Sequence, residues 1–184
     1  MRKLINSTYV TLDGVIENPV WTSPYFAEEA IEVATELTSG ADALLMGRVT
    51  YDGFSQAWPA MDESDPTTGA AFFNNVRKYV ASTTLTDPSW NNTEVLAGDL
   101  VEAVAKLKAA DGKNIVQYGY GKVTAQLIEA GLVDEVKFWI HPVIVGSPSF
   151  TSVLSDVAAT FELIGTRVFT NGVIVATYRP KAAA

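Results

Sequence analysis

The chain has no cysteine in its 184 residues, so neither a disulfide framework nor a thiolate metal site is available to it. It has a single histidine, His141, which argues against a histidine metal cluster and against a Ser-His-Asp triad. Positive charge is scarce: 13 lysines and arginines stand against 21 aspartates and glutamates, a formal charge of -8. Such a balance argues against non-specific affinity for DNA or RNA, whose phosphates need a basic surface. Any polyanionic ligand must find local positive charge instead. No apolar run approaches the roughly 20 residues of a membrane helix. The N-terminus moves from Arg2 and Lys3 straight into alternating strand-like residues, without a signal-peptide core. The expectation is a soluble, cytoplasmic protein with neither a nucleic-acid nor a membrane partner.

What is present suits a folded domain. With 48% hydrophobic and only 18% charged residues, the chain can bury a sizeable core, and disorder along its length is not expected. The length fits one domain over residues 1–180, followed by a short tail at 181–184.

The most informative stretch is Ala43-Leu44-Leu45-Met46-Gly47-Arg48-Val49-Thr50-Tyr51. An apolar run of strand length ends in glycine, and a basic residue and a hydroxyl follow on the first turn of an expected helix. At a helix start the unbonded N–H groups and the positive end of the dipole point outward, so main chain, Thr50 and Arg48 could meet a phosphate together. An ordinary strand, turn and helix with a surface arginine would read the same way. The pattern recurs: a strand over 114–118 runs into Gly119-Tyr120-Gly121 and a helix carrying Val123, Leu127 and Ile128.

The rest of the chain alternates strands and helices. Residues 4–11 read as a strand that ends in the Asp13-Gly14 turn. Ser23 is placed to cap a helix with Pro24 at its first position and Phe26, Ala30, Val33 and Leu37 on one stripe, stopped by Gly40. Tyr51, Phe54 and Trp58 share a helical face that Pro59 ends. An exposed acidic loop is expected over 60–69, then strands at 76–82 and 93–97. A helix follows, with Asp99 near its start, Leu100, Val104 and Leu107 on one face and Gly112 at its close. Gly131 ends the helix after Gly121, and a long strand covers 135–145. Segments 161–169 and 173–178 flank Thr170-Asn171-Gly172, a strong hairpin signal. The fold class is α/β: a central, mostly parallel twisted sheet with helices on both faces and an antiparallel C-terminal edge hairpin. A homodimer through that hairpin is expected, because 173–178 is long and apolar for an exposed edge.

Taken together, several motifs carry a family resemblance. Leu12-Asp13-Gly14-Val15-Ile16, Met46-Gly47-Arg48-Val49-Thr50-Tyr51, Trp58-Pro59, Lys78-Tyr79-Val80-Ala81-Ser82, Gly119-Tyr120-Gly121 and Gly131-Leu132-Val133-Asp134-Glu135 resemble the dihydrofolate reductase-like superfamily. The likeness is to the bacterial branch similar to the reductase domain of the bifunctional riboflavin biosynthesis deaminase/reductase.

The resemblance implies an NADPH-dependent oxidoreductase that passes hydride to a small pterin-like or aminopyrimidine ring. It implies that Gly47, Arg48 and Thr50 hold cofactor phosphates, with Arg48 or Ser82 and Thr83 near the adenosine 2′-phosphate. Gly119, Tyr120, Gly121, Lys122, Val123 and Thr124 would cradle the pyrophosphate and nicotinamide ribose. Asp13 and Gly14 would border nicotinamide and substrate on a loop closing over the site. A proton donor would be Asp13, or Glu28 or Glu29 on the first helix, although a solvated acidic face accounts for the glutamates and an Asp-Gly turn for the aspartate. Trp21 and Tyr25 could line a flat-ring substrate pocket. Tyr120 replaces a small residue, so it narrows the cradle or stacks on the ligand. Gly146-Ser147-Pro148-Ser149-Phe150 stands at the family's glycine-rich turn without a lysine or arginine. His141 reads as structural, and no metal is expected. Two other readings keep the scaffold: a flavin- or deazaflavin-binding reductase, and a non-catalytic, dimeric nucleotide-binding module.

Overall fold

The computed structural model describes residues 1–146 and 158–181; residues 147–157, with most of the expected glycine-rich turn over 146–150, and the tail at 182–184 lie outside the described residues. The strands are β1 (Leu4–Thr11), β2 (Ala41–Gly47), β3 (Arg77–Ala81), β4 (Thr93–Leu96), β5 (Asn114–Tyr118), β6 (Glu135–His141), β7 (Phe161–Val168) and β8 (Ile174–Pro180). The helices are α1 (Glu28–Ser39), α2 (Arg48–Ala57), α3 (Ala70–Asn75), α4 (Leu100–Ala109) and α5 (Lys122–Glu129). The strands form one sheet in the order β4-β3-β2-β5-β1-β6-β8-β7. Pairing is parallel from β4 to β6, and β8 and β7 join antiparallel.

Both faces of the sheet are covered, which explains why the central strands read as continuous apolar runs. On one face Leu37, Tyr51, Phe73 and Trp90 pack on Leu44, Met46, Val80 and Val116. On the other, Val104, Leu127 and Ile128 pack on Leu4, Ala43, Leu45 and Ile115. A third cluster joins Ala30 and Val33 of α1 to Trp139, Val173 and Val175. Among the described residues no helix is long and apolar enough to cross a membrane.

Several boundaries differ from the sequence reading, each for a local reason. Ser23 does not cap a helix: Pro19–Tyr25 is a 3₁₀ run with Pro24 inside it, and α1 begins at Glu28 after Ala27. Phe26 is accordingly exposed, whereas Ala30, Val33 and Leu37 are buried as the stripe requires. Strand β6 stops at His141, because Pro142 offers no N–H and Val143 turns back to the His141 carbonyl at 2.8 Å. Helix α4 ends at Ala109, short of Gly112, and Asp99 caps its start through Glu102 N–H at 2.9 Å. The short helix α3 carries no long periodic pattern and was not expected.

The hairpin is present, but its order corrects one expectation. Val173 is buried, and β8 lies between β6 and β7; the edge of the sheet is β7. Segment 173–178 is apolar because it is interior.

Candidate functional site

The two glycine turns meet at the carboxyl edge of the sheet. β2 and β5 are parallel neighbours with Leu45 opposite Gln117, so Gly47 and Gly119 follow side by side. Helix α2 leaves toward one face and α5 toward the other, as the residues they bury show. That divergence between adjacent parallel strands is the crevice in which open α/β sheets collect ligands.

The turns touch. Gly119 has φ +82°, and a Cβ built on it would lie 2.6 Å from Thr50 Oγ1. A Cβ on Gly47 would lie 3.5 Å from Val123 Cγ2. Thr50 and Val123 therefore each stand against the opposite turn. Neither Gly47 nor Gly121, the residues that open α2 and α5, supplies a side-chain cap. The first N–H groups of both helices are left for other acceptors.

Positive charge is supplied on the β3 side. Arg48 Nε donates to both Asp52 carboxylate oxygens at 2.8 and 2.9 Å, and its Nη1 reaches Thr84 Oγ1 at 3.4 Å. Ser82 Oγ accepts from Thr84 N at 3.2 Å and Leu85 N at 3.1 Å, which folds the turn after β3. Arg48, Ser82 and Thr84 are thus brought together, with Thr84 rather than Thr83 bonded to the guanidinium. Lys122 is exposed at the start of α5.

Thr124 and Tyr120 point elsewhere. Thr124 is 1% exposed; its hydroxyl accepts from Gln117 Nε2 at 3.0 Å and faces the Gly119 carbonyl at 3.4 Å. Asn6 Nδ2 bonds the same carbonyl at 2.8 Å and Gln117 Oε1 at 3.3 Å, and Thr8 Oγ1 donates to Asn6 Oδ1 at 2.9 Å. This buried chain fixes the Gly119 turn from beneath, and Thr124 acts through it. Asparagine, threonine and glutamine inside otherwise apolar strands were the signal for it. The Tyr120 ring is buried in the core 5.9 Å from Phe138 rather than stacked over the crevice. Burial pushes its phenol up to about 12, and its hydroxyl has no hydrogen-bond partner among the described residues.

The first loop borders the crevice because β1 pairs with β5 on one side and β6 on the other. Gly14, at φ +82°, closes the turn by donating to the Thr11 carbonyl at 3.0 Å. Asp13 is fully engaged: Oδ1 accepts from Thr11 Oγ1 at 2.5 Å and Val145 N at 3.3 Å, and Oδ2 from Gly146 N at 2.8 Å. The Thr11 hydroxyl, then the Gly146 amide, hold its carboxyl below the usual carboxylate range. Asp13 therefore ties two loops as an anion and is a poor proton donor near neutrality. Glu29 is likewise committed, accepting from Thr170 Oγ1 at 2.7 Å and Thr170 N at 2.9 Å. Glu28 is exposed in the first turn of α1, with no hydrogen-bond partner among the described residues.

Trp21 and Tyr25 gather around His141 at the end of β6, two strands from β5. Their rings meet the imidazole edge-on at 5.0 and 5.7 Å, and Tyr9 does so at 5.6 Å. His141 is buried, with Nδ1 2.8 Å from the Trp139 carbonyl, and burial lowers its pKa. It is a packed structural residue. A hollow of about 290 Å³ lined by Lys3, Glu36, Asn114 and Lys137 lies at the opposite, amino edge of the sheet, away from all these groups. Among the described residues no cluster of acids and histidine could hold a metal ion.

Known proteins share the fold. The family model described as the RibD C-terminal domain matches residues 2–175. The chain is 31% identical over 182 residues to the uncharacterized protein YyaP of Bacillus subtilis (strain 168), covering 96% of this chain and 94% of the other. Among solved structures, a protein assigned to riboflavin biosynthesis in Shewanella sp. PV-4 superposes with a TM-score of 0.68 at 23% identity, covering 97% of this chain and 99% of that one. A pyrimidine reductase-like protein of Corynebacterium diphtheriae gives 0.65 at 16% identity, with 99% and 93% covered. A diaminohydroxyphosphoribosylaminopyrimidine deaminase/5-amino-6-(5-phosphoribosylamino)uracil reductase of Thermotoga maritima gives 0.66 at 18% identity, with 98% of this chain aligned to 57% of that longer one. The chain belongs to the RibD C-terminal domain family and has its dihydrofolate reductase-like fold.

Proposed function

We propose that this protein is an NADPH-dependent reductase of a small pterin-like or aminopyrimidine heterocycle. The observation that carries the reading is the contact of the two turns: Thr50 Oγ1 against Gly119, with two uncapped helix starts facing one crevice. A dinucleotide's pyrophosphate suits that cradle, because a helix start offers N–H groups and a positive dipole without a formal charge. In a chain of net charge -8 such a ligand depends on local cations, and Arg48 and the exposed Lys122 stand at the starts of α2 and α5. Its guanidinium, steadied by Asp52 and adjoining Thr84, suits the 2′-phosphate that separates NADPH from NADH. Two of the structural neighbours are described as a pyrimidine reductase-like protein and as a uracil reductase, which supports the same class of substrate.

Bound NADPH would supply the hydride. The chain's own part is geometry: the Gly47 and Gly119 turns anchor the dinucleotide, and the Asp13–Gly14 loop, tied to Val145 and Gly146, borders the ring end. Of the three carboxylates considered as proton donors, Glu28 is the one without a hydrogen bond to another residue among the described residues.

Thermal unfolding with NADPH, NADH, FMN and a deazaflavin tests the reading. A ligand at a hundredfold its Kd stabilises the fold by about 2.7 kcal/mol. NADPH is expected to raise the midpoint and NADH much less. A rise only with FMN or the deazaflavin would move the assignment to that cofactor. No rise with any of them would leave a nucleotide-free scaffold and overturn it.

A further inference from the structure

We propose that the ring this protein reduces carries no phosphate, and that it lies between α1 and α2 on Tyr9 and Tyr118, whose hydroxyls orient it. The inference rests on the reductase reading above and adds to it the substrate's charge and the residues that meet it.

The position follows from strand register. Ile5 opposes Val116 and Ser7 opposes Tyr118 in the parallel β1–β5 pair, so Tyr9, two residues beyond Ser7, stands on the same face as Tyr118. On that face Leu37 of α1 and Tyr51 of α2 pack with Ile5 and Val116. Helix α1 covers β6 through Trp139, and α2 covers β2 and β3. Tyr9 and Tyr118 are left half-buried between the two helices, and Tyr118 directly precedes the Gly119 turn. The Tyr118 ring lies 5.6 Å from Phe54 of α2 and 5.4 Å from Phe73, and the Tyr9 ring 5.4 Å from Trp139. Through His141 this floor continues to Trp21 and Tyr25.

The hydroxyls are in reserve. Neither has a hydrogen-bond partner among the described residues, and burial pushes the Tyr9 phenol up to about 12. Burial, then the neighbouring Tyr9, pushes the Tyr118 phenol up as well. Both stay protonated near neutrality, so they offer donors to the carbonyl or ring-nitrogen acceptors of an uncharged ring.

The charge around this floor is wrong for a phosphate. Of the 13 lysines and arginines, Arg48 and Lys122 alone stand at the crevice, on the two helix starts assigned to the cofactor. Arg167, on the edge strand β7, is held by Glu32 and Glu36 of α1. The other cations lie toward the amino edge of the sheet: at the starts of β1, β3 and β5, early in β6, in the last turn of α4 or at the end of antiparallel β8. Residues 147–157 contain neither lysine nor arginine. What borders the ring end is negative instead. Asp13 is held there as an anion, and α1 opens at the same edge with Glu28 and Glu29. A substrate phosphate would meet carboxylates and find no cation to spare.

Titration calorimetry tests the proposal on the protein saturated with NADP⁺, which delivers no hydride, so binding is read without turnover. The probes are hydroxymethylpterin and a ribosylaminouracil, each as the free alcohol and as its phosphate monoester. At least one alcohol is expected to bind, and its phosphate at least roughly tenfold more weakly. Y9F and Y118F keep the rings and remove the hydroxyls; each should weaken the alcohol roughly 3- to 10-fold. NADP⁺ affinity and the melting midpoint should stay as in the wild type, because neither hydroxyl bonds within the fold. A phosphate ester that binds as tightly as its alcohol would overturn the proposal. So would unchanged ring binding in both phenylalanine variants, or an NADP⁺ complex that takes up neither ring. Titration of NADP⁺ alone separates these failures from that of the cofactor reading: a chain that does not bind it would bring down that reading, and this inference with it.

Discussion

Gly119 joins the two turns through a contact that a single methyl group would break. G119A would force φ +82° on a residue with a Cβ and set that Cβ 2.6 Å from Thr50 Oγ1. The expected cost is about 1–3 kcal/mol of stability, read by denaturant unfolding. T50A in the same chain removes the clashing oxygen and should restore part of the loss; no restoration would mean that the contact is not as described. Arg48 carries the cofactor distinction: R48A should weaken NADPH roughly 10- to 100-fold and NADH little. Equal losses would reject a 2′-phosphate contact. Lys78 is a separate case, fully buried, with Nζ donating to the carbonyls of Asn74, Val76 and Asn91 at 3.0–3.1 Å and lying 4.3 Å from the Trp90 ring centre. Burial pushes it down from 10.5 to about 8. The unfolded chain then holds this proton more tightly than the folded one, so the penalty for burying the charge applies below pH 8 and is relieved between about 8 and 10.5. The unfolding free energy of the wild type relative to K78M should rise across that window by up to roughly 3 kcal/mol; a flat difference would show that the lysine titrates normally. At this scale Gly47, Arg48 and Gly119 were legible, because glycine and arginine beside apolar runs have few reasons to be there. Thr84 was not, since a contact between the turns after β2 and β3 leaves no mark in local spacing, whereas Asp52 stands one turn along α2 from Arg48, a spacing the sequence did carry. The direction of Thr124 is not legible either: its position after the turn is visible in sequence, but its side chain is turned inward to Gln117.

Strands β1 and β5, with helix α5, form the element that holds the second turn. Asn6, Thr8, Gln117 and Thr124 are bonded in one buried chain that ends on the Gly119 carbonyl. Buried polar groups are costly when they lose partners, so Q117L, which removes one hydrogen bond from Thr124 and one from Asn6, should cost about 1–3 kcal/mol. T124V tests whether the chain also serves the site. Its expected effect is weaker NADPH binding together with faster amide exchange at residues 119–122, while α2 and its turn stay protected. Unchanged binding with only a lower melting point would make the network structural and nothing more. Elements with strong periodicity were legible: β1 and β5 fall where expected, and α1 buries Ala30, Val33 and Leu37 of the expected stripe, though not Phe26. Those set by local hydrogen-bond competition were not. The 3₁₀ run of Pro19–Tyr25 replaces a helix start, since Pro24 falls inside it and cannot donate, and α3 is too short to carry a period.

For the whole molecule, the order β4-β3-β2-β5-β1-β6-β8-β7 brings the segments that follow all six parallel strands to one edge, those after β1, β2, β3 and β5 around the crevice. The alternation of strands and helices announces a mainly parallel sheet, but nothing local says that β5 inserts between β1 and β2, and the crevice exists because it does. The same ordering buries β8 and exposes β7, which is why an apolar segment expected at the edge is interior. The central claim is that the Gly47 and Gly119 turns grip one dinucleotide. Backbone amide shifts recorded while NADPH is added to the isotope-labelled protein measure this most directly. The account predicts that the largest changes fall on the amides of residues 48–50 and 121–123 together, saturating with one Kd. Shifts at only one of the two turns, or none at either while NADPH binds elsewhere, would contradict it.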